Sequence, residues 1–228
     1  MAELARNYFD NLQLQDLAQF DNQQQHDRKL NEVLSEIPAQ QQLHEPHLTE
    51  LNWPVTRAQV ENAIYRGKNG SATGLDGCPY ELWKELKIRH DALAGKPDAR
   101  TFDIAHAFTT VFQDIQAHGV DQETDFTLGW MCPVFKKKDP TIISNYRPIT
   151  LMNTDYKLLT KVLALQLSDY ARNLIHSDQA GFIPKRSIFD HIHLAKAVIN
   201  YADITKENGA IVALDQENVG APICSSSQ

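Results

Sequence analysis

Residues 133–164 read PVFKKKDPTIISNYRPITLMNTDYKLLTKVLA, and three changes of pattern inside them set the fold. The apolar run TLGWMCPVF (127–135) leads into this stretch and reads as a strand. Residues 136–148, KKKDPTIISNYRP, are basic and carry two prolines, so they read as a hairpin-like loop ahead of ITLM. From Asp155 to Ile175 the apolar residues fall at helical spacing, which predicts a long amphipathic helix. Proline 148 restricts the residue before it to extended backbone, so Arg147 is expected on a strand and not at a loose tip.

Working outward, the same logic places the neighbouring elements. Thr56 with Gln59 forms a capping box, and Val60, Ala63 and Ile64 give the following helix one apolar face. Residues 67–79, GKNGSATGLDGCP, hold four glycines and a proline and read as a loop. Ile104, Phe108, Val111, Phe112 and Ile115 follow helical spacing, with Gly119 as a stop. DQAGFIPKRS (178–187) is a second glycine- and proline-marked loop, after which Ser187 caps a helix bearing Ile188, Ile192, Ala195, Val198 and Ile199 on one face. GAIVALDQE (209–217) reads as an apolar strand ending in Asp215. Residues 1–49 are polar, with nine glutamines between Gln13 and Gln42, and scattered leucines allow a helix or two there.

Composition bounds the chemistry. The net charge of −7 argues against a strong nucleic-acid binder taken as a whole, but the charge is uneven. Residues 1–128 hold 11 Lys+Arg against 20 Asp+Glu, whereas residues 136–186 hold 9 against 4. A basic stretch on an acidic scaffold suits phosphate handling. Cys78, Cys132 and Cys224 are far apart and form no CxxC pair, so neither a disulfide framework nor a zinc site is indicated. His191 and His193 are two apart on a helix and point to different faces, which disfavours a metal site. The first 20 residues lack the apolar core of a secretory signal, and no apolar run is long enough for a membrane span. An intracellular chain, nuclear or cytoplasmic, without membrane partners is the expectation.

Four segments in fixed order carry a resemblance: GSATGLDGCPYELWK (70–84), PVFKKKDPTIISNYRPITLMNTDYKLLTKVLA (133–164), SDQAGFIPKRSIFDHI (177–192) and IVALDQE (211–217). Over about residues 50–217 the chain resembles the fingers and early palm of a non-LTR (LINE-type) retrotransposon reverse transcriptase. NYRPITL and DQAGFIP together are specific; the glycine loop alone is weak.

The resemblance implies an α/β, mostly helical fold: a partial right-hand polymerase with an incomplete sheet. Residues 1–49 would be a glutamine-rich helical extension, 50–208 the fingers-like region and 209–217 the first palm strand, with a tail at 218–228 that departs from the family pattern. It also implies RNA template, DNA primer and dNTP as partners and Mg²⁺ as cofactor. Asp215 matches the first catalytic, metal-binding carboxylate. Arg147 and Lys136, with Lys137 or Lys138 as alternatives to the latter, match the residues that grip the incoming nucleotide. Gln179, Gly181, Phe182 and Arg186 match the element near template and nucleotide, and Gly74 and Asp76 the motif near the primer–template. From Asn218 the match ends, and Gly220 stands about where the family has the aromatic residue that excludes a ribose 2′-hydroxyl. One carboxylate cannot hold two cations, so a truncated reverse transcriptase domain without activity of its own is expected. An apolar palm strand without neighbours would also invite self-association. The alternatives are a noncatalytic nucleic-acid-binding remnant or a nonfunctional product of a decayed element.

Overall fold

The computed structural model describes residues 2–17, 23–39, 42–96, 100–121, 123–206, 208–212 and 214. In chain order these form helices α1 (Ala2–Leu17), α2 (Gln23–Ser35), α3 (His47–Leu51), α4 (Arg57–Tyr65), α5 (Tyr80–Leu93) and α6 (Ile104–His118). Strands β1 (Gly129–Phe135) and β2 (Tyr146–Met152) follow, and helices α7 (Thr154–Leu174) and α8 (Ile188–Thr205) complete the order. The architecture is mostly helical with one two-stranded antiparallel sheet. Two compact units divide it. One contains α1, α4–α6, both strands and the first half of α7; the other contains α2, α3, the rest of α7 and α8.

The first unit owns the core. Val55, Val60, Ala63, Ile64, Tyr80, Ile104, Phe112, Leu158, Leu159 and Val162 cluster, with Trp83, Leu86, Phe108, Ile115 and Phe126 packed around them. Each fully buried aliphatic or aromatic side chain contributes roughly 1.5–3 kcal/mol. Capping fixes where the core helices begin. Thr56 and Gln59 close the expected capping box on α4, and the Asp103 carboxylate accepts from the His106 N–H at the start of α6. Gly119 ends α6 at φ 83°, a left-handed value that glycine adopts without strain. Two glutamines of α6 satisfy the backbone leading into α4. Val55 N–H donates to Gln116 Oε1 at 3.0 Å, and Gln113 Nε2 donates to Val55 C=O at 2.7 Å.

The second unit has little core. Ala171 and Ile183 are buried among its described residues, the Tyr170 hydroxyl donates to Glu50, and Tyr170 lies 5.2 Å from the His47 ring.

The structure differs from the sequence reading in three places. Helix α5 was not expected. Pro79 occupies its N-cap position, and Tyr80, Trp83 and Leu86 give it an apolar face against the core. Strand β2 begins at Tyr146, inside the stretch read as loop, because cross-strand pairing with Phe135 and Val134 extends the ladder past Pro148. The strand expected over 209–217 is not formed in described residues 209–212 and 214. A strand exists through its partners, and among the described residues no second strand pairs with this segment. Asp215 and the tail from 218 onward lie outside the described residues.

Candidate nucleic-acid interface

The hairpin positions the basic residues. Phe135 pairs with Tyr146 and Val134 with Arg147 in the antiparallel register, and the ladder is prolonged by Lys136 N–H donating to Asn145 C=O at 2.9 Å. Directly opposed residues share a face and alternate residues face the same way. Trp130, Cys132 and Val134 therefore share one face with Leu151, Ile149 and Arg147, and Lys136 continues it. Arg147 and Lys136–Lys138 are exposed. None of these four side chains is held by a hydrogen bond or ion pair among the described residues.

The loop joining the strands is ordered by its own side chains. The Asp139 carboxylate accepts from the Thr141 N–H at 2.8 Å and from the Thr141 hydroxyl at 2.7 Å. Both bonds hold its carboxyl below the usual carboxylate range. Asn145 Nδ2 donates to Asp139 C=O, and the Tyr146 hydroxyl donates to Pro140 C=O, each at 2.8 Å. Lys138 sits in the left-handed region at φ 73°. The acidic neighbour of the lysine run is thus engaged by threonine, and the lysines keep their charge toward solvent. At the hairpin base, Ala5 of α1 joins Trp130, Met131, Cys132, Pro133, Ile143 and Tyr146 around an open apolar hollow of about 410 Å³.

The glycine loop docks on the start of α7. Gly74 lies so close to Asn153 that a Cβ there would meet Asn153 Oδ1 at 2.0 Å and Asn153 N at 2.4 Å. Asn153 Oδ1 accepts from Asp76 N–H at 3.3 Å, and Asp76 Oδ1 accepts from Cys78 N–H at 3.0 Å. The Thr154 hydroxyl donates to Cys78 C=O at 2.7 Å while accepting from the Trp83 indole N–H at 2.8 Å. Lys157 Nζ donates to Ala72 C=O at 2.8 Å. Gly74 and Asp76, read from the sequence as site residues, are thereby given a packing role at the foot of the hairpin. Sequence reasoning missed Asp155 beside them. Burial, and then the Asp76 carboxylate, push its carboxyl above the usual range. The same two causes raise the Cys78 thiol.

The second glycine loop belongs to the other unit. Its Arg186 is engaged with main chain: Nη1 donates to His176 C=O at 2.5 Å and Gln179 C=O at 2.8 Å, and Nη2 donates to Ile175 C=O at 2.8 Å. The guanidinium staples the end of α7 to the loop, which a basic residue in KRS alone did not reveal. Phe182 stands fully in solvent at φ 62°, and Gln179 is exposed. Gly181 has nothing within 4 Å of where a Cβ would be, so the chain's own packing does not require glycine there. Among the described residues no group of three or more His, Cys, Asp or Glu is arranged to hold a metal ion. They do not form the donor set of a two-cation centre.

Comparison with known proteins gives this basic hairpin and its glycine loop a family. Residues 135–219 match the family described as reverse transcriptase (RNA-dependent DNA polymerase). A Xenopus laevis protein, "Transposon TX1 uncharacterized 149 kDa protein", is 39% identical over 167 residues, covering 73% of this chain. The match spans 12% of the length of that relative. The chain carries a reverse transcriptase segment and belongs to the reverse transcriptase family of non-LTR, LINE-type retrotransposons. The family match begins at Phe135, so Gly74 and Asp76 precede it. No helix among the described residues is long and apolar enough to cross a membrane.

Proposed function

We propose that this chain is the fingers part of a right-hand polymerase: a module that grips template–primer and the incoming dNTP but does not polymerise by itself. The observation that carries this reading is the set of four exposed cations, Lys136, Lys137, Lys138 and Arg147, without partners among the described residues, at one end of an ordered hairpin inside the matched segment. Arginine's planar fork donates two parallel bonds to a phosphate, and a strand holds that fork better than a loose loop does. Arg147 would meet the triphosphate, with Lys136 on the same face adding charge. Gln179, Gly181 and Phe182 would lie near template or nucleotide. Arg186 would act by holding that loop's shape. In a complete domain Asp215 would bind Mg²⁺, which would supply charge neutralisation at the transferring phosphoryl group.

Binding of a labelled RNA–DNA primer–template by the purified chain tests this. Replacing Lys136, Lys137 and Lys138 together with Ala should reduce the log–log salt slope by about 2–3, since each lost phosphate contact removes ~0.7–0.9. Arg147→Lys keeps the charge and loses the fork, so dNTP binding should fall more than primer–template binding. An unchanged salt slope would place the site elsewhere, and Asp215-dependent nucleotide incorporation by the chain alone would contradict the noncatalytic assignment.

A further inference from the structure

Five cations converge on the loop between α4 and α5, and none of them belongs to the hairpin. Lys84 Nζ donates to Gly67 C=O and to Asn69 Oδ1, each at 2.6 Å. Lys161 Nζ donates to Arg66 C=O at 3.4 Å, and Lys157 Nζ to Ala72 C=O at 2.8 Å. Arg66 and Lys68 stand on the loop itself and are exposed, and Arg66 Nε donates to Asn62 Oδ1 at 3.0 Å. The loop has one shape because it is pinned along its length. A Cβ on Gly67 would meet the Tyr80 ring at 2.5 Å, the Ser71 hydroxyl donates to Lys68 C=O at 2.7 Å, and Glu81 Oε1 accepts from Gly70 N–H at 2.7 Å. Carbonyl and amide oxygens are neutral acceptors. They take one or two of the three protons of each ammonium and leave its charge uncompensated. Among the described residues none of the five cations forms an ion pair, and the nearby Glu81 carboxylate is engaged with Gly70.

We propose that this cluster is a second phosphate-binding site, for the backbone of a single RNA strand that also lies on the hairpin cations. It rests on the reading of the chain as a module that grips template. Charge selects the ligand class: Arg66, Lys68 and Lys84 fall in residues 1–128, where acidic residues outnumber basic ones 20 to 11, so a basic cluster there suits a polyanion. Its place continues the hairpin. Gly74 docks on Asn153, one residue past β2, so the loop stands at the base of the ribbon while Arg147 stands near its tip. The five residue steps from Arg147 to Met152 span ~17 Å. One strand of a duplex advances ~3.4 Å per nucleotide, so about five nucleotides join the two clusters. Ammonium groups already tied to carbonyls have lost part of their side-chain freedom before the ligand arrives, which lowers the cost of binding. Contacts to phosphate carry no base information, so the site holds the strand without reading it.

Lysine footprinting of the full chain tests this without any substitution. The chain is acetylated with and without a single-stranded RNA of about ten nucleotides, twice the joining length, and read by mass spectrometry. Lys68, Lys157 and Lys161 should be protected several-fold together with Lys136–Lys138, while Lys96, exposed past the end of α5, should not change. Arg66→Gln/Lys68→Gln spares the lysines that hold the loop. It should reduce the log–log salt slope for the same RNA by ~1.4, two contacts at ~0.7 each for a single strand. Protection confined to Lys136–Lys138, or an unchanged slope for this variant, overturns the second site and leaves the hairpin reading standing, as when an acidic protein segment is the occupant. Protection of Lys96 equal to that of the cluster means indiscriminate coating and overturns it as well. Absence of RNA binding at low salt overturns both the second site and the hairpin reading.

Discussion

Gly74 shows how one missing side chain fixes the base of the hairpin. An alanine methyl group would have to displace the Asn153 backbone as well as its side-chain amide oxygen, so a rotation of that side chain alone would not make room. Gly74→Ala should therefore cost about 1–3 kcal/mol, read as a lower denaturation midpoint with unchanged helix content at low denaturant. Asp155 provides the electrostatic counterpart. Its carboxyl is raised in the fold, first by burial and then by Asp76, so between its unfolded and folded pKa values the native state binds more protons than the unfolded chain. Stability then falls as pH rises through that window, and the loss persists above it. Asp155→Asn keeps the oxygen that accepts from Tyr156 N–H and removes the charge. It should raise the thermal midpoint at neutral pH, and the gain should vanish in acid, where the wild-type carboxyl is neutral in both states. A constant gain across pH would assign the effect to packing.

At the scale of elements, α7 and the loops at its two ends behave differently. Its start is locked to residues 72–78 by Asn153, Thr154 and Lys157. Its end is held by one guanidinium bonded to three carbonyls. Arg186→Lys retains the charge but not the fork, so limited proteolysis should cut within 176–187 several-fold faster while the rest of the chain is unaffected. Equal cleavage rates would mean that the loop is ordered by Ile183 and its turns instead. Local signals made most elements legible beforehand. The Thr56–Gln59 box, the helical spacing from Ile104 to Ile115, Gly119 and Ser187 act over short range, and the sequence displays them directly. Helix α5 was hidden because its first turn follows a glycine-rich run and its apolar face is interrupted by Glu81, Lys84 and Glu85. The staples of the hairpin loop and the docking of Gly74 on Asn153 were not legible, since the latter joins residues almost 80 positions apart. The basic character of the site was legible as composition. That Arg147 is exposed, with no partner among the described residues, while Arg186 is engaged became visible only once partners were placed.

For the whole molecule, the contrast between a unit with a core cluster of ten buried residues and a unit with few buried side chains predicts non-two-state unfolding. Calorimetry should give a van't Hoff enthalpy that differs from the calorimetric one, and the amides of α4, α6 and the first half of α7 should exchange last. Coincident transitions for probes in both units would refute this. The three tryptophans divide along related lines. Trp83 donates to Thr154 and stands edge-on to Phe108 at 5.2 Å, whereas Trp53 and Trp130 are more than half exposed. Trp130 shares the ribbon face of Arg147. Intrinsic emission should therefore contain two separable colours: a blue-shifted component from Trp83 against the core, little quenched by iodide, and a red-shifted, quenchable one from the two exposed indoles. With Trp53 replaced by Phe, the chain becomes its own optical instrument, in which the first colour follows folding and dimming of the second follows a base stacking on the hairpin.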